Sequence, residues 1–212
     1  MVLGDDPAQG IFRENLFLHP ELDFSLSMPA GWMTANTNAA AASVNPAQDA
    51  LVVLRLAATD KSVEQLIAEA QGERPDVGFE RFQVRGIPAA RAELSQRSRY
   101  TSITWLGYRG DVLEIIGQCR SASSGQYAPV FDATARSFRA LSSSQLASID
   151  ELRLRVREAR AGETPASIAE RVGSAWKPDE IAVANAVEPG AELQPGAGVK
   201  VAIREPYSPR AH

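Results

Sequence analysis

The sequence predicts an α+β fold: an antiparallel sheet with packed helices, followed by a small strand–helix–helix–strand module. Three observations carry this. Short alternating runs follow one another with hairpin residues between them, as at Arg109-Gly110-Asp111. Helical spacing interrupts these strands in two places. A Ser-rich stretch, "LSSSQLASIDE" at 141–151, then separates this region from a second with its own order of elements.

Phe24, Leu26 and Met28 alternate in "DFSLSM", the period of a strand with one buried face. Pro29 and Gly31 turn the chain, and "AAAASV" and "ALVVLRLA" supply two strands separated by Asn45-Pro46. A helix follows in "KSVEQLIAEAQG". Ser62 caps it with Gln65 three residues on, Val63, Leu66, Ile67 and Ala70 form its apolar face, and Gly72 ends it. "FERFQVRGI", "AARAELSQ" and "YTSITWLGYRGDVLEIIGQC" give further strands, the last split at the 109–111 turn. A second helix is expected from Pro129, a favoured first helical residue, to about Leu141.

In the second region, Leu152, Leu154 and Val156 alternate with Arg153, Arg155 and Arg157. Thr164 caps a helix opened by Pro165, and Pro178 opens another whose Asp179 and Glu180 favour its positive end. Val199, Val201 and Ile203 share one side of a final strand. In so small a unit the two strands must pair to satisfy their backbones. The expected division is therefore a lead-in at 1–22, a sheet domain at 23–145, the module at 150–205 and a frayed tail at 206–212.

Composition excludes several functions. The net charge of −4 gives no overall attraction to nucleic acid. No apolar run approaches the roughly 18 residues of a transmembrane helix. Cys119 is the only cysteine, so no intrachain disulfide forms, and its apolar neighbours mark it as a strand thiol. His19 and His212 are the only histidines, whereas zinc needs three or four converging ligands. Pro20 also breaks any helix that would present His19. No nucleophile motif and no phosphate-cradling glycine motif occurs, so no catalytic residue and no metal ligand is assigned.

Two surfaces have a functional reading beside a structural one. Arg153, Arg155 and Arg157 share a strand face, and pairing with the last strand would add Lys200 and Arg204 to a basic stripe. Such a stripe either meets an acidic partner or blunts a sheet edge. Trp32, Tyr100, Trp105 and Tyr108 either line a pocket or pack the sheet.

The segment "RVREARAGETPASIAERVG…IAVANAV…ELQPGAGVKVAI" resembles the LysM module, through Gly162, Glu163, Thr164, Ile168, Ala169, Asn185, Leu193, Gly196 and Ile203. That resemblance implies binding of N-acetylglucosamine polymers such as peptidoglycan, in a groove between Gly162–Pro165 and Glu188–Gly196. Glu163 and Pro165 depart from the usual Asp and Leu, so a structural LysM-like module stays open beside a glycan-binding one. The run "GDDPAQGIFRENLFLHPELDFSLSMPAGWMTANT" resembles the segment following the catalytic domain in bacterial zinc metalloproteases related to HtpX and BepA. "FSLSMPAGW" and "FDATARSF" are similar to PsbP-like folds. These resemblances imply a noncatalytic C-terminal region in the periplasm or cell envelope. Its partners would be the protease domain of the same parent, envelope proteins or peptidoglycan, and zinc would belong to the absent catalytic domain. A freestanding peptidoglycan- or protein-binding envelope module is the alternative.

Overall fold

The computed structural model describes residues 1–4, 6–57, 60–74 and 76–209. His212 and the end of the expected tail lie outside the described residues. In chain order the elements are β1 (Val2–Leu3), β2 (Ile11–Arg13), β3 (Leu16–His19), β4 (Phe24–Ser27), β5 (Met33–Asn36), β6 (Ala41–Val44), β7 (Ala50–Leu56), α1 (Val63–Glu73), β8 (Phe79–Val84), β9 (Ile87–Gln96), β10 (Arg99–Tyr108), β11 (Asp111–Arg120), α2 (Ser124–Arg136), β12 (Arg139–Ala140), α3 (Ser143–Ala147), β13 (Asp150–Glu158), α4 (Pro165–Val172), α5 (Pro178–Asn185) and β14 (Gly198–Pro206). They fall into two compact units, Gln9–Leu141 and Met1–Ala8 with Ser142–His212.

The first unit holds a seven-stranded sheet in the order β5-β6-β7-β11-β10-β9-β8 and a four-stranded sheet in the order β12-β4-β3-β2. All their pairings are antiparallel. Two-residue turns join β8 to β9 at Arg85-Gly86 and β10 to β11 at Arg109-Gly110, with positive φ at both residues of each turn. That geometry matches the right-handed strand twist, and glycine reaches it without strain. The run "FERFQVRGI" therefore spans a hairpin rather than one strand.

The two helices cover opposite faces of the large sheet. On one face, Val63 and Ile67 of α1 pack with Ala90 and Val112, and Trp105 and Phe79 close the edge. The Ser62–Gln65 capping box forms as expected. Gly72 lies inside α1, and Arg74 caps it, its amide donating to the Ala70 carbonyl. On the other face, Phe131 of α2 lies over Gly117, where a Cβ would come within 2.2 Å of the ring. Tyr100 and Tyr127 stack on either side at ring separations of 6.4 and 6.3 Å. Arg91, buried in the sheet, pairs with Asp132 of α2. Burial works against the Asp132 charge, but hydrogen bonds from Arg91 and Arg136 outweigh it and hold the carboxyl below its usual range.

Helix α2 begins at Ser124, so Pro129 sits inside it rather than at its start. Proline removes only one amide donor there, and the aromatic packing of Tyr127 and Phe131 carries the helix through. The helix stops at Arg136, and Phe138 stacks on Phe24 at 5.1 Å, joining the end of α2 to the four-stranded sheet.

Residues 11–19, expected as a lead-in, form two strands of that sheet. Phe17 and Leu18 are buried there. His19 stacks on Phe24 at 5.4 Å, and its Nδ1 accepts the Leu22 amide at 3.2 Å. Burial lowers its pKa from 6.5 to about 4.

In the second unit β13 lies between β1 and β14. Ile168, Ile181, Leu193, Val199 and Val201 form its core. The expected tail begins in strand: β14 runs to Pro206, and the Tyr207 amide donates to the Ile149 carbonyl at 2.8 Å.

Two outcomes follow. Gly117→Ala is expected to cost about 1–3 kcal/mol by overpacking Phe131, read from the urea midpoint of the full chain. His19 binds its proton more weakly folded than unfolded, so its contribution is intact above pH 6.5 and is lost as pH falls toward 4. The loss at pH 4 is up to about 3 kcal/mol. His19→Phe should flatten that part of the pH–stability profile, and an unchanged slope would contradict the buried neutral imidazole.

Candidate functional site

The candidate glycan site belongs to the second unit and is built by a capped helix start. Thr164 precedes α4, its Oγ1 accepting the Ser167 amide at 3.4 Å while its own amide donates to Ser167 Oγ at 2.8 Å. Pro165 takes the first helical position, where its missing N–H costs nothing. Gly162 turns the chain just before with φ of 74°. Glu163, 8% exposed, points inward. Its carboxylate accepts the Arg160 amide at 2.8 Å and a two-pronged contact from the Arg171 guanidinium. The Arg171 bonds, with help from the Arg160 amide, lower the Glu163 pKa from 4.5 to about 2.

Two segments distant in sequence meet here. The Gly162 amide donates to Glu192 Oε1 at 3.0 Å, and the Leu193 amide donates to the Glu163 carbonyl at 2.7 Å. The Gly196 amide donates to the Ala159 carbonyl at 2.8 Å, closing the second segment onto the end of β13. Glu163, Pro165 and Leu193 are buried and hold the two segments, whereas Gly162, Glu188, Gly190 and Glu192 form an exposed rim. Glu192 falls within the expected 188–196 loop without having been singled out, and Arg171 and Arg160 were not among the expected site residues. Their only sequence signal is a charge spaced to reach a loop amide or an inward carboxylate, which reads like any surface charge.

Asn185 does not join this rim. Its amide nitrogen donates to the Ile181 and Lys200 carbonyls, and its oxygen accepts the Lys200 amide at 2.8 Å, so it fastens α5 to β14.

The basic stripe is not assembled. The register sets Arg153, Arg155 and Arg157 opposite Ile203, Val201 and Val199. Lys200 and Arg204 lie opposite Val156 and Leu152, on the other face. Opposite residues of an antiparallel pair share a face, so the five cations divide between two. Two are also neutralised: Arg153 pairs with Glu151 at 2.6 Å, and Arg155 with Glu205 through both guanidinium prongs. The same register leaves Val156 60% exposed.

The aromatic residues do not converge either. Tyr100 stacks on Phe131 beneath α2, and Trp105 packs against Phe79 on the α1 face with its Nε1 donating to Glu114. Tyr108 meets Phe138 edge-on and donates to the Asp23 carbonyl, and Trp32 meets Tyr127. Among the described residues, no group of three or more His, Cys, Asp or Glu side chains is placed to hold a metal ion. His19 does not fit zinc, because no two further ligands converge on it among the described residues. No helix among the described residues is long and apolar enough to cross a membrane.

No family model matches the chain, and no curated protein matches it in sequence. Several solved structures are similar, among them the following three. The cyanobacterial PsbP (CyanoP) of Synechocystis aligns over 66% of this chain and 99% of its own, at 13% identity and a TM-score of 0.47. LpqN of Mycobacterium tuberculosis, involved in cell envelope biogenesis, aligns over 54% of this chain and 81% of its own, at 16% identity and 0.40. A Bacteroides thetaiotaomicron protein aligns over 86% of this chain and 65% of its own, at 12% identity and 0.48. None bears on a protease parent or a LysM-like module, and at these scores none carries a function.

Because the folded Glu163 holds its proton less tightly than the unfolded one, its contribution is present above pH 4.5 and is lost as pH falls toward 2. Glu163→Gln should lower the melting temperature at pH 7, and the gap from the wild type should close across that window. A gap independent of pH would contradict the ion pair with Arg171.

Proposed function

We propose that this chain is a noncatalytic binding region that accompanies an envelope zinc metalloprotease related to HtpX and BepA. In this reading its second unit is LysM-like and holds a glycan containing N-acetylglucosamine along Gly162–Pro165 and Glu188–Gly196, anchoring the assembly at peptidoglycan in the periplasm. The sheet unit, PsbP-like in this reading, meets the protease domain of the same parent or its protein substrates. In this reading zinc belongs to the catalytic domain of that parent.

The observation that carries the reading is the meeting of the two loop segments through Gly162–Glu192 and Leu193–Glu163. An extended sugar chain needs a fixed rim with exposed polar groups, and these bonds supply one from short, pre-organised loops. The same loops support the alternative, a freestanding peptidoglycan-binding envelope module. The two differ at the gene: an upstream His-Glu-x-x-His in the same reading frame supports the protease parent, and its absence leaves the freestanding module.

Sedimentation of the full chain with purified peptidoglycan tests the binding. Depletion from the supernatant is expected, with Glu192→Ala weakening it roughly three- to ten-fold through loss of the Gly162 tie. No depletion would contradict the glycan reading for parent and freestanding protein alike.

A further inference from the structure

A second site lies in the sheet unit, where the β9–β10 and β6–β7 turns and the end of β11 surround an open cleft of about 570 Å³. Val44 and Leu51, partners in the β6–β7 register, give it an apolar floor, and Arg97, Arg99 and Arg120 stand around it. All three arginines are exposed, and none of their side chains has a hydrogen-bond or ion-pair partner among the described residues. Arg99 and Arg120 are direct partners in the β10–β11 register. Like charges opposite one another in a sheet repel, so this arrangement works against the fold. Arg97 adds a third cation from a turn with φ of 43°. The concentration stands out in a chain whose net charge is −4.

The carboxylate in the cleft does not neutralise them. Asp49 Oδ1 accepts from the Asn45 amide group at 2.6 Å and from the Tyr127 hydroxyl at 3.2 Å. The Asn45 bond leads in holding its pKa below the usual range, and the Arg120 charge contributes without an ion-pair contact. Ser121, at the cleft wall, has a side-chain oxygen hidden from solvent with no hydrogen-bond partner. Buried polar groups normally have one. The cleft thus offers three guanidiniums without a side-chain partner and an apolar floor, at a volume suited to a small organic ligand.

We propose that this cleft binds a phosphate monoester, its oxygens taken by Arg99, Arg120 and Arg97 and its organic part resting on Val44 and Leu51. Guanidinium forks match phosphate oxygens two at a time, and a dianion answers a cluster of three cations better than a single carboxylate does. This site is independent of the glycan loops of the other unit.

Calorimetric titration of the full chain at fixed ionic strength provides the test. Phenyl phosphate probes a free monoester, and vesicles of phosphatidylcholine with and without phosphatidic acid probe the same group on a lipid. Saturable binding is expected in at least one arm, and the arm that binds identifies the source. Arg99→Gln/Arg120→Gln should weaken it at least about tenfold. The same variant should raise the melting temperature of the free protein, because the cross-strand repulsion is gone, which also shows that it folds. Arg81→Gln/Arg85→Gln, matched in charge but outside the cleft, should leave binding unchanged. Absence of saturable binding in both arms, or equal losses in the two double variants, overturns the site.

Discussion

The sheet unit depends on the absence of one side chain. Gly117 leaves a gap on the α2 face of β11, and the Phe131 ring fills it. With the ring seated there, α2 lies close enough for Tyr127 to reach the Asn45–Asp49 turn and for Asp132 to meet Arg91. The chain leaving α2 then delivers Phe138 to Phe24 and Tyr108. One contact therefore aligns the turn at one end of the sheet, the part-buried ion pair across it and the junction with the small sheet. A Cβ at position 117 would lift the helix and strain all three, because close-packed interiors pass local strain on.

The sequence showed the class of fold because its signals were local. Ser62 with Gln65, Thr164 before Pro165 and Arg109 with Gly110 each set a boundary with neighbours in the chain. What it concealed was set at a distance. Pro129 looks like a helix start by itself, yet α2 begins five residues earlier because Tyr127 has a place against the sheet. The alternation of Leu and Arg in β13 gave the strand but not its face. The register with β14 sets those arginines on the same side as Val199 and Val201, which no alternation pattern in either strand reveals alone. Residues 11–19 lacked a clear strand period, and their pairing with β4 makes them one sheet.

The candidate site was legible in the same uneven way. Gly162, Thr164 and Pro165 were visible as a helix entry, and they occupy one. Asn185 was placed in the site by resemblance and instead ties α5 to β14. Glu192 fell within the expected 188–196 loop, but its role did not show, because a carboxylate that accepts a loop amide is indistinguishable in sequence from a solvated one. Glu163 shows the converse: where an Asp is usual in the resembling pattern, the longer side chain reaches both Arg171 and the Arg160 amide. This substitution exchanges a loop residue for a buried brace and leaves the rim to its neighbours.

In the proposed glycan reading, loops fixed by buried polar contacts meet the sugar, while the strands and helices of that unit carry the packing. For the second unit the most direct measurement is a titration of the isotopically labelled full chain with a tetramer of N-acetylglucosamine, followed by backbone amide shifts. The account predicts saturable shifts concentrated at Gly162–Thr164 and at the 188–196 segment, with the sheet unit unmoved. Shifts absent from both segments, or confined to other parts of the chain, would contradict it.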